Sequence, residues 1–108
     1  MKRHLYLILV ALADQDRHGS AIAREVHRLS EGDLTLWPVT LYGSLAELEE
    51  RKWIESLAGK GSRPAGESER KRYFRLTRSG RRTLEAETRR LASLVSVAEG
   101  RLSHGGTA

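Results

Sequence analysis

Cysteine is absent from the 108 residues. No disulfide can form, and no thiolate can hold a metal. Histidine does not fill the gap: His4, His18, His27 and His104 include no pair at the i, i+4 spacing of a helical zinc site. The sequence therefore predicts no metal and no cofactor. A phosphate-binding loop is missing as well. Gly59-Lys60-Gly61-Ser62 has a glycine–lysine pair, but lacks the earlier glycine of a P-loop and a Ser or Thr directly after the lysine. Glu49 and Glu50 are neighbours on a helix and point in different directions, so they are not a carboxylate dyad. Nothing marks a nucleophile elbow or an oriented base. The chain is expected not to be an enzyme.

Long hydrophobic runs are lacking too. Leu5 to Ala13 is apolar throughout but too short to span a bilayer, so no membrane partner is expected. Lys2 and Arg3 precede it and Ala11-Leu12-Ala13 ends it, which is the outline of a short signal peptide. The other reading, adopted here, is a first helix enclosed on most sides. A chain of this length is one domain with a modest core.

Acidic residues are in deficit, 14 against 19 Lys and Arg, for a net charge of +5 and a pI near 10.1. The excess is local. Residues 60–82 hold nine Lys/Arg against two Asp/Glu, while the remainder holds ten against twelve. A basic patch confined to one segment suggests a polyanionic partner, most simply nucleic acid. Lys60, Arg63, Arg70, Lys71, Arg72 and Arg75 could each neutralise a phosphate; a solvated charged hairpin is the plainer alternative.

The stretch from Pro38 to Glu55 organises the rest. Pro38 suits the first turn of a helix, and Trp37 before it is a poor N-cap. Leu41, Leu45 and Leu48 make one apolar stripe. Thr40, Gly43, Ser44 and Glu47 are assigned to another face, small and polar, of the kind a helix needs to enter a DNA major groove. An ordinary amphipathic helix with a solvated outer face has the same periodicity. Tyr42 could offer its hydroxyl to a phosphate or belong to the core. Aromatics make up only 6% of the chain, so the two tryptophans that bracket this helix stand out. Trp37 and Trp53 either pack in the core or line an apolar ligand pocket.

Before this helix, Ser20 to Ser30 reads as a helix with Ile22, Val26 and Leu29 on one face, Ser20 as N-cap and Gly32 in a left-handed position after its end. Leu34-Thr35-Leu36 reads as a brief strand. After the organising helix, Trp53 to Leu57 and Arg70 to Leu76 read as two strands of a hairpin, joined by the Gly-rich loop Ala58 to Glu69. Thr77 would cap a final helix, in which Gly80 is a mild cost. Along it, positions 84, 88, 91, 95, 98 and 102 carry Leu, Thr, Leu, Val, Ala and Leu, a heptad seam. Docking on the chain's own core and pairing with a partner both fit that seam, and pairing is preferred.

Three blocks of residues resemble the PadR family of transcriptional regulators. Pro38, Thr40, Leu41, Tyr42, Leu45, Leu48 and Glu49 match its recognition helix. His18, Gly19, Ala21 and Ile22 resemble the start of its second helix, and Arg72, Tyr73, Arg75, Leu76, Thr77, Gly80 and Arg81 its third block. The chain departs from the family where Val39 replaces a common glycine, Ser20 a common tyrosine, Lys52-Trp53 a usual glycine-leucine, and Ala46-Glu47 frequent basic residues.

The resemblance implies a mainly α fold with a small β-hairpin, that is, a winged helix-turn-helix over 1–76. A dimerisation helix over 77–102 and a flexible tail over 103–108 would follow. It implies a cytoplasmic repressor that binds a pseudo-palindromic operator in double-stranded DNA as a homodimer, with a small aromatic effector as a further partner. Cleavage after Ala13 would remove a segment the family uses as core. The DNA-binding set is then Thr40, Tyr42, Gly43, Ser44, Glu47, Lys60, Arg63, Arg70, Lys71 and Arg72. The dimer interface is Leu84, Leu91, Val95 and Leu102. A winged-helix module that binds protein instead of DNA is the alternative, favoured by Glu47, Glu49 and Glu50.

Overall fold

The apolar stretch after Arg3 forms helix α1 (Arg3–Ala11) in the computed structural model, which describes residues 1–57 and 72–105. Leu5, Ile8, Leu9, Ala11 and Leu12 are all buried. Two guanidiniums close the helix's C-terminal end, where its dipole is negative. Arg17 Nε donates to Ala11 O at 2.7 Å, and Arg81 Nη2 to Ala13 O at 2.9 Å.

A two-residue strand, β1 (Arg17–His18), leads into α2 (Gly19–Leu29). The expected cap was Ser20; the actual cap is His18, whose Nδ1 accepts from the Ala21 N–H at 3.3 Å. Pairing in the sheet holds His18 extended, at φ −84° and ψ 168°, which is the backbone an N-cap requires. The helix ends in a Schellman motif. The Gly32 N–H reaches His27 O at 2.8 Å and the Glu31 N–H reaches Arg28 O at 3.0 Å. Gly32 is left-handed as expected, and so is Glu31.

Leu34–Leu36 is not a strand. Ser30 Oγ accepts from the Leu34 N–H at 2.9 Å, which bends the chain so that Leu36 drops into the core. Pro38 then opens α3 (Pro38–Glu50), whose N-cap Trp37 makes no side-chain capping bond. A second Schellman motif ends α3. The Trp53 N–H bonds Leu48 O at 3.1 Å, the Lys52 N–H bonds Glu49 O at 3.0 Å, and Lys52 is left-handed at φ 65°.

Strands β2 (Ile54–Ser56) and β3 (Tyr73–Leu76) pair antiparallel, with Ile54 opposite Leu76 and Ser56 opposite Phe74. β1 pairs on the other edge of β3, with Arg17 opposite Phe74, so the sheet order is β1-β3-β2. The sequence showed two strands; Arg17–His18 is a third. Phe74 and Leu76 alternate onto one apolar face of β3, and Phe74 is completely buried. The loop expected over Ala58 to Glu69 and the first residues of the returning strand lie outside the described residues. Phe74, Ile8, Leu9, Ile22, Val26, Leu45, Leu48 and Ile54 form the sealed centre, each worth about 1.5–3 kcal/mol of transfer free energy.

Helix α4 (Arg78–Gly105) is capped by Thr77, whose Oγ1 accepts from the Gly80 N–H at 2.9 Å. The same hydroxyl donates to Lys52 O at 2.7 Å, and the Thr77 N–H reaches Trp53 O at 3.0 Å. α4 continues to Gly105, so Ser103 to Gly105, expected as tail, are helical. Residues 106–108 lie outside the described residues. Gly80 is not a mild cost but a requirement: a Cβ there would lie 1.9 Å from Trp53 O.

Two glycine substitutions are expected to act in opposite directions. Gly80→Ala must push α4 off the Lys52–Trp53 corner and should cost more than about 3 kcal/mol. Lys52→Gly removes a side chain from a left-handed position and should gain about 0.5–1 kcal/mol. Thermal unfolding checks both, the second as a rise of about 3–6 °C.

Candidate nucleic-acid interface

The inward face of α3 is Leu41, Leu45 and Leu48. On an ideal helix the opposite arc is Val39, Gly43, Ala46 and Glu50, and all four are exposed. The Thr40, Ser44 and Glu47 row lies to one side of it. Thr40 is exposed, but Ser44 is only 6% exposed and Glu47 is half-buried. The expected polar face is therefore corrected at Ser44. That residue precedes Leu45 and lies one turn before Leu48, so it shares their arc and its small side chain is enclosed.

Glu47 flanks the outward row on the cleft side. Its carboxylate pairs with Arg51 at 3.2 Å and lines a cleft of about 550 Å³ with Met1, Lys2, Leu5, Arg51, Trp53 and Glu87. The Arg90 guanidinium, bonded to Glu87 at 2.7 Å, holds that carboxyl below its usual range. Trp53 is partly buried against the core, with the Arg51 guanidinium over its ring at 5.1 Å. Trp37 is neither core nor cleft: it is 71% exposed at the front of α3.

Tyr42 does two things at once. It is 49% exposed, and its ring lies against α2 where Gly19 has no side chain; a Cβ there would sit 2.6 Å from the Tyr42 hydroxyl oxygen. The phenol thus rests on the start of α2 and keeps its hydroxyl near the surface that α3 presents. Nearby, the His18 and Tyr73 rings meet edge-on at 5.5 Å, tying the α2 cap to the sheet.

Of the basic residues, Arg72 enters β3 with its guanidinium stacked on Phe74 at 5.3 Å and 3.8 Å from the Glu49 carboxylate. Arg75 pairs across the sheet with Glu55 at 2.7 Å. Both remain about half-exposed, and surface pairs of this kind hold their charges weakly. The sheet and the C-terminal end of α3 therefore carry linked positive and negative groups, a pairing invisible in a count of charges. Lys60, Arg63, Arg70 and Lys71 lie outside the described residues.

The seam on α4 divides in two. Leu84 is buried in the chain's own core, which corrects its assignment to a partner interface. Thr88 Oγ1 is bonded to the Tyr6 hydroxyl at 2.8 Å. Beyond that point Leu91 is half-buried, while Leu94, Val95 and Leu102 are exposed, Leu102 at 73%. With Ala98 they form one row that continues the Gly80–Leu84 face. Sequence reasoning missed Val39, which is 89% exposed, and the Tyr42–Gly19 contact. The helical period that places Leu41, Leu45 and Leu48 inward already puts Val39 on the opposite arc, whereas the Tyr42–Gly19 contact depends on how α3 lies across α2 and has no local signal.

Residues 8–86 match the family model described as the transcriptional regulator PadR-like family. Among curated proteins, the chain is 40% identical over 88 residues to an uncharacterized 37.1 kDa protein in transposon TN4556 of Streptomyces fradiae. That match covers 82% of this chain and 23% of the relative, so the chain spans about a quarter of its length. The fold is similar to a PadR family transcription regulator from Clostridium difficile at 24% identity, covering 94% of this chain and 99% of that one, with a TM-score of 0.75. It is also similar to a PadR-like transcriptional regulator from Bacillus cereus at 16% identity, covering 91% and 89% of the two chains, with a TM-score of 0.75. At these identities the structures speak for the fold.

Proposed function

Because the chain belongs to the PadR-like family of transcriptional regulators, we propose that it is a DNA-binding regulator and not an enzyme, working as a homodimeric repressor in the cytoplasm. The observation that carries the dimer is the uncovered row Leu91, Leu94, Val95, Ala98 and Leu102 on α4. Three large aliphatic side chains at least half in water cost free energy that a second copy of the row would recover. Among the described residues, no helix is long and apolar enough to cross a membrane, so the row is not a spanning segment.

Paired through α4, two copies of α3 would be related by a two-fold axis and would enter successive major grooves, about 34–36 Å apart, of a pseudo-palindromic operator. Thr40, Tyr42 and Gly43 belong to the surface offered to the groove. Lys60, Arg63, Arg70 and Lys71, with Arg72, would neutralise flanking phosphates. In this reading residues 1–76 bind DNA and the latter part of 77–102 joins the subunits. A small aromatic effector would be received by Trp53 at the cleft below α3, where Glu47 and Arg51 connect it to the recognition helix. The alternative, a protein-binding module, is supported by the carboxylates Glu49 and Glu55 that face Arg72 and Arg75. A salt titration separates the two, since phosphate contacts require a steep dependence of affinity on salt.

Leu91→Glu with Val95→Glu is expected to give a monomer by sedimentation at micromolar concentration, with a retained unfolding transition because neither side chain is in the sealed core. Operator affinity should collapse; a variant that stays dimeric and binds normally would place the interface elsewhere. Arg70→Ala with Lys71→Ala should weaken specific and non-specific DNA alike. It should flatten the plot of log affinity against log salt by up to about two units. Loss of one base preference at constant slope would contradict the phosphate role.

A further inference from the structure

The surface that α3 offers is unusual in what it lacks. Trp37, Val39 and Tyr42 are each exposed near its N-terminal end, Val39 almost completely. Behind them the outward row continues through Gly43 and Ala46 and meets no charge until Glu50. The first turn carries no acidic residue. A surface helix that merely meets water carries charged and polar residues on that face. This one carries an isopropyl group, a bare backbone and a methyl group. Nothing lies within 4 Å of where a Gly43 side chain would be, so the middle of the helix can approach another surface to backbone distance.

Major-groove readers commonly use Arg, Lys, Asn, Gln or a carboxylate, whose hydrogen bonds match base edges. The row Val39, Gly43 and Ala46 holds none of these. The one base feature that an aliphatic group recognises is the C5 methyl of thymine, which projects into the major groove. On a helix, Val39 and Ala46 are about 10 Å apart along the axis, a distance of roughly three base steps. Residues at the N-terminal end of a recognition helix are those that reach base edges, and Val39 follows Pro38 there.

We propose that Val39 is a base-reading residue that selects thymine in the operator half-site by contact between its isopropyl group and the thymine methyl, with Ala46 making a lesser contact about three base steps away. The inference rests on the DNA-binding reading above and adds to it the chemical feature being read. It also gives a role to the valine that stands where the resemblance leads one to expect glycine: a glycine there could make no such contact.

The test uses the full-length protein and duplexes it enriches from a randomised pool. Each thymine of the enriched half-site is replaced in turn by deoxyuridine, which pairs identically but lacks the methyl. With the parent protein, deoxyuridine should weaken binding about three- to fivefold per half-site at one position, the loss expected when about one buried methyl is removed. Val39→Ala should lose a similar factor on the parent duplex and become indifferent to deoxyuridine at that position, while remaining sensitive at any other. Its unfolding temperature should match the parent's, since the side chain packs on almost nothing. If no deoxyuridine weakens binding, or if Val39→Ala keeps the full sensitivity everywhere, the proposal is overturned while DNA binding stands. If the pool yields no enriched sequence, both readings fall, and the exposed patch on α3 belongs to a protein partner.

Discussion

The corner at Lys52 and Trp53 is the constraint on which the remainder of the molecule depends. There α3 ends in a left-handed turn, the chain reverses into β2, and the start of α4 lies directly on the reversal. Thr77 joins all three, donating to Lys52 O, accepting from the Gly80 N–H and bonding Trp53 O through its own N–H. Only a residue without a side chain fits at position 80. Because helices do not bend freely, fixing the first turn of α4 fixes its whole direction. The orientation of the distal apolar row, some 20 Å away along the axis, follows from this close approach together with the ties of α4 to α1 through Arg81 and Thr88.

α3 is held from behind and from the side. Leucines anchor it in the core, while the Tyr42 ring sits on the side-chain-free surface of Gly19. A shift of α3 along α2 would drive that ring into the α2 backbone, so the helix has little freedom to slide. What it presents outward is therefore presented at a defined angle. Glu47 lies at the edge of that surface and pairs with Arg51 on the cleft side, a half-exposed pair that holds its charges weakly. The cleft and the outward row thus lie on different sides of one rigid helix.

Charge is distributed less simply than the local excess of Lys and Arg suggests. Arg72 and Arg75 face Glu49 and Glu55 across short gaps. Such pairs are weak in water and rearrange readily when a phosphate competes. They reduce attraction to generic polyanions without abolishing it, and the Arg72–Glu49 pair joins the sheet to the C-terminal half of α3.

The periodic parts of the molecule were legible in the sequence. Leu41, Leu45 and Leu48, the Pro38 start, the Thr77 cap and the left-handed Gly32 each follow from chemistry within a few residues, and the structure agrees with all of them. What failed were judgements about boundaries between faces and about partners distant in the chain. Ser44 was assigned to the outer face because its side chain is polar, but a helix tilted on its neighbour buries whatever falls in the arc of contact. Leu84 was grouped with Leu91 and Leu102 by spacing. Identical spacing continues through core and surface alike, and only the point where α1 stops covering α4 divides the row. Arg17–His18 became a strand because β3 had an unpaired edge, which no window of local sequence can reveal. The sequence by itself determined where the helices are and which family they belong to. The tertiary structure decided which faces are left bare, because exposure is a property of what packs alongside a residue and not of the residue.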